Sequence, residues 1–351
     1  MGARLANILW TWRLARKIGA RTLAFWPPMP WYPGEGLGAS ELFDVAALAT
    51  SPLRDELQIV VGRPQDHIKV ELVELDPSLV MDPRQFVASF ARKERVKLLQ
   101  AIRGPLLMEG ETAAEAAAEA RELFFSLPFC RNVRMAFKEA RGRHDLRRMV
   151  AVHYRRGDII PALTASCNEF VSAPNKRHER FENCIEHYFR CCPPMKAYET
   201  ILQPLVEQGF DILFCSDSPG LSARLAERFG PRVIAARDLA PGYLSVLQRA
   251  LFELLLMSQC HAILGSKSVF GNLAAAISRG TFVDARFKSR PEEFIGELLT
   301  TIGYRGLKTR ARSAVAAVVM DKINSFRLLE VWSVDEAHVQ AILSAREPAA
   351  A

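Results

Sequence analysis

The chain has 351 residues, 49% apolar and 24% charged, which is the balance of an ordinary soluble globular protein and enough length for about two domains with buried cores. Its 46 Lys and Arg outnumber its 39 Asp and Glu by 7; that excess favours an anionic ligand such as a nucleotide diphosphate, an acidic membrane surface or nucleic acid, without choosing among them. The 7 cysteines are odd in number and form no Cys-x-x-Cys pair, which suits a reducing, cytoplasmic compartment better than a disulfide framework, and no apolar run reaches the roughly 18 residues that span a bilayer.

Leu5, Ile8, Leu9, Trp12, Ala15 and Ile18 recur at helical spacing, and Gly19 reads as the stop. This opening helix carries no acid and is basic through Arg4, Arg13, Arg16, Lys17 and Arg21, so a transit peptide or a membrane-surface helix is one reading. Against it, the helix runs straight into Thr22-Leu23-Ala24-Phe25-Trp26, a core-strand pattern that its removal would orphan. Strand-like runs follow at 57–61 and 68–75, and helical stretches at 83–102 and 112–125. The charged, poorly periodic Arg141-Gly142-Arg143-His144 suits a linker, which sets an N-terminal α/β domain over 1–145.

Beyond it, apolar runs at 149–154, 210–215, 232–235, 262–265 and 281–284 alternate with helical patterns at 195–208, 221–229, 243–259 and 269–279. That alternation predicts a parallel sheet covered on both faces, in a domain over 146–305 followed by a helical tail over 306–351. Residues 159–193 are long, polar and weakly periodic, as an active-site lid or a disordered segment would be. They hold Cys167, Cys184, Cys191, Cys192, His178 and His187, of which Cys184, His187 and Cys191 would share a helical face. A structural zinc is one reading, but the spacing matches no standard knuckle, and free cysteines are the plainer one.

Three polar clusters fall at strand ends, where open parallel sheets bind their ligands. Arg155-Arg156-Gly157-Asp158 follows Tyr154, Ser216-Asp217-Ser218 follows Cys215, and Ser266-Lys267-Ser268 follows Gly265. Arginine offers a permanently charged, planar fork that matches a phosphate, and the 266–270 turn opens a helix whose free N–H groups favour an anion. Asp217 has the chemistry to accept from a base amine or a sugar hydroxyl. The plain readings are a solvated arginine pair and a Ser268 that serves only as an N-cap.

These residues carry a resemblance. Val152-His153-Tyr154-Arg155-Arg156-Gly157-Asp158 resembles the His-x-Arg-Arg-x-Asp signature of α-1,2-, α-1,6- and protein O-fucosyltransferases. The stretch from Glu253 to Cys260, with Leu264 to Phe270 after it, looks like their second donor-site motif. Phe214-Cys215-Ser216-Asp217 is similar to their intervening strand end, and Gly2 to Asn7 with Trp26-Pro27-Pro28 to their N-terminal turn and next strand. Several motifs agree in order and spacing.

The resemblance implies the GT-B architecture, an α/β fold of two Rossmann-like domains facing a cleft. It implies a GDP-sugar donor, usually GDP-fucose, and an inverting transfer with no metal and no cofactor. Arg155 or Arg156 would carry the β-phosphate, the second favoured for the phosphate and the first for a supporting pair. The turn of Ser266, Ser268, Val269 and Phe270 would hold the diphosphate with His153 and Asp217 nearby, and Arg4 and Asn7 would contribute from the N-terminal domain. Asp158 and Glu169 are the local carboxylates that stand as candidate bases. The expected acceptor is a glycan or a lipid-linked saccharide, with peripheral membrane contact open and nucleic acid disfavoured, since the basic residues are not interleaved with aromatics on one stripe. A degenerate transferase fold that binds a nucleotide or glycan without turnover is the competing reading.

Overall fold

A computed structural model describes residues 1–17, 19–26, 38–61, 71–75, 96–100, 107, 110–154, 156, 159–173, 179–192, 194–216, 219–265, 268–284, 291–325 and 336–344. In chain order the first elements are α1 (Gly2–Lys17), β1 (Thr22–Trp26), α2 (Ala39–Leu42), α3 (Val45–Thr50), β2 (Leu57–Val61), β3 (Glu71–Leu75), β4 (Val96–Gln100), α4 (Ala113–Ser126) and α5 (Arg131–Arg143). There follow β5 (Met149–Tyr154), α6 (Ile159–Ser172), α7 (Glu179–Cys191), α8 (Met195–Glu207), β6 (Asp211–Ser216), α9 (Pro219–Phe229), β7 (Val233–Ala235), α10 (Ala236–Leu239), α11 (Val246–Met257), β8 (Ala262–Gly265), α12 (Val269–Ile277), β9 (Thr281–Asp284), α13 (Pro291–Thr301), α14 (Thr309–Ser325) and α15 (Glu336–Ser344). The chain is α/β with parallel sheets, and no helix among the described residues is long and apolar enough to cross a membrane.

The chain divides into two compact units. One comprises Met1–Asp145 with Leu239–Gln259 and Asn272–Arg279; the other comprises Leu146–Asp238, Cys260–Gly271 and Gly280–Ala351. The first unit thus takes in two segments from the C-terminal half.

In the first unit β1 pairs in parallel with β2, and β3 in parallel with β4. Helix α1 is an integral part of this unit. It buries Leu5, Leu9 and Trp12 fully, and three of its cations are paired with acids. Arg13, also fully buried, is held by Glu111 and, at 2.9 Å, by Glu119. Lys17 reaches the same two carboxylates at 3.2 Å, and Arg16 reaches Glu56 at 3.2 Å. Gly19 ends the helix in the left-handed region at φ 65°, where a side chain would be strained.

Two sequence expectations for this unit are corrected. Part of the helix expected over 83–102 is strand β4, fixed by its pairing with β3; the rest of that stretch lies outside the described residues. The linker expected at 141–144 is the last turn and cap of α5. That helix buries Val133, Ala136 and Ala140, small residues that give a weak apolar signal between five cations and escape a periodicity search.

In the second unit one five-stranded parallel sheet runs in the order β7-β6-β5-β8-β9. All six residues of β5 are buried, as a central strand covered on both faces requires. Val150, Val152 and Tyr154 alternate into one core with Leu163, Phe170, Phe181, Ile185, Tyr188 and Leu202. Val315, Val319, Ile323 and Ile342, from the stretch expected to be a separate tail, belong to the same core.

The lid or disordered segment expected over 159–193 is instead two packed helices. Helix α6 buries Ile159, Leu163, Ser166, Cys167 and Phe170, and α7 buries Phe181, Ile185, Tyr188, Phe189 and Cys191. Both patterns step by three or four residues, and the helices meet through stacked Phe170 and Phe181 rings 5.1 Å apart. Their polar remainder faces outward, which diluted the signal. Cys191 Sγ lies 3.8 Å from His187 Nδ1, the cysteines of this stretch are free, and no group of three potential metal ligands occurs among the described residues. His178 lies outside the described residues.

Entry to β9 depends on Gly280. A Cβ there would sit 2.3 Å from the His261 carbonyl oxygen and 2.4 Å from that of Cys260, backbone atoms that cannot swing aside. Gly280→Ala is therefore expected to cost about 1–3 kcal/mol, read as a lower calorimetric Tm. An unchanged Tm would show that this turn yields without cost.

Candidate functional site

The strand order decides where a ligand can approach the second unit. From β5 the chain moves outward to β6 and β7, then returns to lay β8 on the other side of β5. The direction of winding reverses between β5 and β8, and in open parallel sheets the crevice lies at such a point, outside the carboxyl ends of the strands. The residues that leave β5 are Arg155 and Arg156, and those that leave β8 are Ser266 to Ser268.

His153 occupies the last shared rung, paired with Cys215 on one side and Gly265 on the other. Its ring is 7% exposed and stacks on Phe270 at 5.1 Å and 28°. Its Nδ1 lies 3.4 Å from Ser268 Oγ, which accepts from the Gly271 N–H at 2.9 Å. Ser268 thus caps the start of α12. Its hydroxyl also meets His153 Nδ1, so the cap and the imidazole share one hydrogen bond. His153 is therefore a buttress under the first turn of α12, where Val269 and Phe270 stand half-buried.

Tyr154 points to the other face, edge-on to Tyr198 at 5.1 Å and stacked with Phe214 at 6.4 Å. Burial pushes its hydroxyl well above the ordinary tyrosine value. Arg156, two residues on, returns to the same face and lies over the Tyr154 ring, 6.0 Å from its centroid. Its fork is engaged by one side of α13: Nη2 donates to Thr301 Oγ1 at 3.0 Å and Nη1 meets Glu297 Oε1 at 3.2 Å. Burial opposes the guanidinium charge, but Tyr154, Tyr188 and Glu297 outweigh it and raise its pKa. Burial also raises the Glu297 carboxyl, against the pull of Arg156.

The other candidates are dispersed. Glu169 stands ten residues after the start of α6, about 15 Å along the helix axis, and is exposed in an ion pair with Arg180 at 2.7 Å. The structure does not bring it to the strand ends. In the first unit, Arg4 lies over the Trp26 ring at 5.2 Å, and burial lowers its pKa. Asn7 Oδ1 and Trp26 Nε1 are buried without a hydrogen-bond partner. Arg155, Asp158, Asp217 and Ser266 lie outside the described residues. Glu297 and Thr301 had no signal in the sequence, since nothing local links side chains on a late helix to an arginine as much as 145 residues earlier.

No protein-family model matches the chain, and no curated protein matches it in sequence. Among solved structures, it is similar to the α-1,6-fucosyltransferase NodZ soaked with GDP-fucose, at 14% identity over 79% of this chain and 89% of that one, with a TM-score of 0.40. It is similar at the same identity to NodZ from Bradyrhizobium, over 79% and 90%, with a TM-score of 0.39. POFUT1 in complex with GDP matches over 80% of this chain and 94% of that one, at 14% identity and a TM-score of 0.44. Likenesses this distant assign neither a ligand nor a reaction to this chain.

The Arg156–Glu297 pair is open to a direct test. Glu297→Ala leaves a guanidinium that is only 15% exposed without its carboxylate, and is expected to cost about 2–3 kcal/mol, less than the 3–5 of a fully buried pair. The double change Arg156→Met with Glu297→Leu should recover most of that loss. Chemical denaturation of the three proteins checks it; equal destabilisation by the single and double changes would deny the pair any role in stability.

Proposed function

We propose that the chain is an inverting glycosyltransferase of the GT-B kind that moves a sugar, fucose, from a GDP-sugar to a glycan or lipid-linked saccharide. The observation that supports the reading is the winding reversal between β5 and β8, because parallel sheets bind ligands at such a point and the chain leaves these two strands through Arg155-Arg156 and into the capped N-terminus of α12. A cationic fork beside a helix N-terminus suits a diphosphate. The resemblance of both exits to fucosyltransferase donor motifs supplies the GDP-sugar.

The two arginines take different tasks in this reading. Arg156 spends its fork on Glu297 and Thr301. Arg155 is then the arginine for the β-phosphate, the reverse of what the resemblance suggested. Charge gathers on the diphosphate as the sugar leaves, so a fixed cation helps the transition state more than the bound donor. Asp158 remains the nearest carboxylate in sequence for deprotonating the acceptor. Arginine supplies the charge that a metal would, and transfer is expected to survive a chelator.

The exposed ion pair of Glu169 favours a second reading, binding without turnover, because it removes one of the two candidate bases from the strand ends. Donor hydrolysis and transfer assays separate the two readings. In the first, GDP and GDP-fucose raise the Tm and UDP does so less. Arg155→Lys keeps the charge but loses the fork, and is expected to lower kcat about 100-fold with a smaller change in donor Kd. Glu227→Ala, an exposed change on α9, serves as control. An Arg155→Lys protein that melts and turns over like that control would sink the proposal, as would a wild-type protein with no response to any guanine nucleotide.

A further inference from the structure

Arg13, Arg16 and Lys17 of α1 are met by Glu56, Glu111 and Glu119, whereas most of the cations of α5 have no such acid among the described residues. Arg131, Arg134, Lys138 and Arg141 are spaced by three, four and three residues, which sets them on one face of α5. All four are exposed, and the opposite face buries Val133, Ala136 and Ala140. Arg131, Arg134 and Lys138 meet no acid among the described residues; Arg141 lies over the Phe137 ring at 5.6 Å. The one carboxylate of the helix, Glu139, is on its flank and engaged by Arg143.

Segments that carry exposed apolar side chains meet at the start of the same helix. A polar knot fixes that end. The Cys130 N–H donates to the Leu42 carbonyl at 2.8 Å and the Asp44 N–H to that of Pro128 at 2.7 Å. Ser245 Oγ donates to Glu41 Oε2 at 2.7 Å, and Gln248 Nε2 to the Glu41 carbonyl at 2.9 Å. Around this knot in sequence stand Val45, Phe125, Met135, Tyr243 and Val246, between 40% and 59% exposed, five of the seven large apolar residues so exposed among the described ones.

We propose that this face of the first unit docks on an anionic lipid bilayer, with the α5 stripe over the phosphates and Tyr243 and Val246 at the depth of the headgroups. Nucleic acid would be served by the cations alone. A bilayer interface rewards both the unpaired cations and the apolar side chains beside them, and this surface offers both. The proposal stands apart from the catalytic reading and needs no donor.

Co-sedimentation of the full chain with vesicles tests it. Binding is expected to vesicles of phosphatidylcholine mixed with phosphatidylglycerol and not to phosphatidylcholine alone, and to weaken as salt rises. Each of Arg131→Gln, Arg134→Gln, Lys138→Gln and Arg141→Gln should lower the partition coefficient about fivefold. Tyr243→Ser with Val246→Ser should lower it several-fold while leaving the salt dependence unchanged. The four changes combined should leave no detectable binding; circular dichroism and Tm establish folding, and should this quadruple variant fail to fold, Arg134→Gln with Lys138→Gln replaces it. Equal binding to both vesicle types, or full binding by the charge variants, overturns the proposal. So does a result in which a DNA oligonucleotide displaces the protein from vesicles and the Tyr243 and Val246 changes have no effect, which would assign the stripe to nucleic acid.

Discussion

The burial of β5 on both faces governs the second unit. A strand with a partner on each side and every residue buried has no freedom of register, because a slip of one residue would turn each side chain to the opposite face. Strand alternation then sorts the polar residues at its end. His153 is turned toward α12, where it supports the cap at Ser268, and Tyr154 and Arg156 are turned toward α13. One strand thereby positions both sets of residues, and its carboxyl end is the point from which the chain winds in both directions.

The treatment of charge follows burial throughout. Arg13 and Arg156 are both removed from most of the water, and each is met by acid, Arg13 by Glu111 and Glu119 and Arg156 by Glu297, since an unpaired cation in such a place would be costly. Arg156 keeps its charge despite desolvation because a guanidinium does not deprotonate near neutral pH and Glu297 stands beside it. The cations of α5 face solvent and have no such requirement. The formal charge of +7 is therefore not spread evenly in its consequences: three cations of the basic N-terminal helix are paired with acids, and among the described residues α5 presents a row of exposed cations.

Much of the second unit was legible in the residues. The runs at 149–154, 262–265 and 281–284 are apolar because both faces of a parallel sheet are covered, and they are strands β5, β8 and β9. The helices between them follow from 3.6-residue periodicity, and Ser268 from its place before an apolar run. Less legible were α5, α6 and α7. In α5 the buried face consists largely of alanine, and in α6 and α7 the wet faces are polar enough to mask a regular buried stripe. Strand β4 was misread because Val96-Lys97-Leu98-Leu99-Gln100 has no local feature that separates a strand from a helix, and its pairing with β3 settles the matter.

The sequence by itself determined the α/β class, the parallel strands and the residue types at the strand ends, because burial on two faces and helical periodicity are written in the local order of apolar and polar groups. Tertiary structure decided the strand order, and with it the reversal between β5 and β8, since pairing between runs more than 100 residues apart leaves no local trace. It also decided which charges are committed. Arg156 is tied to Glu297, Glu169 to Arg180, and Arg13 to Glu111 and Glu119, while Arg131, Arg134 and Lys138 face water. A cation's partner is fixed by distance in space, at a range where the energy falls off within a few ångströms, and the sequence fixes only that the cation is there.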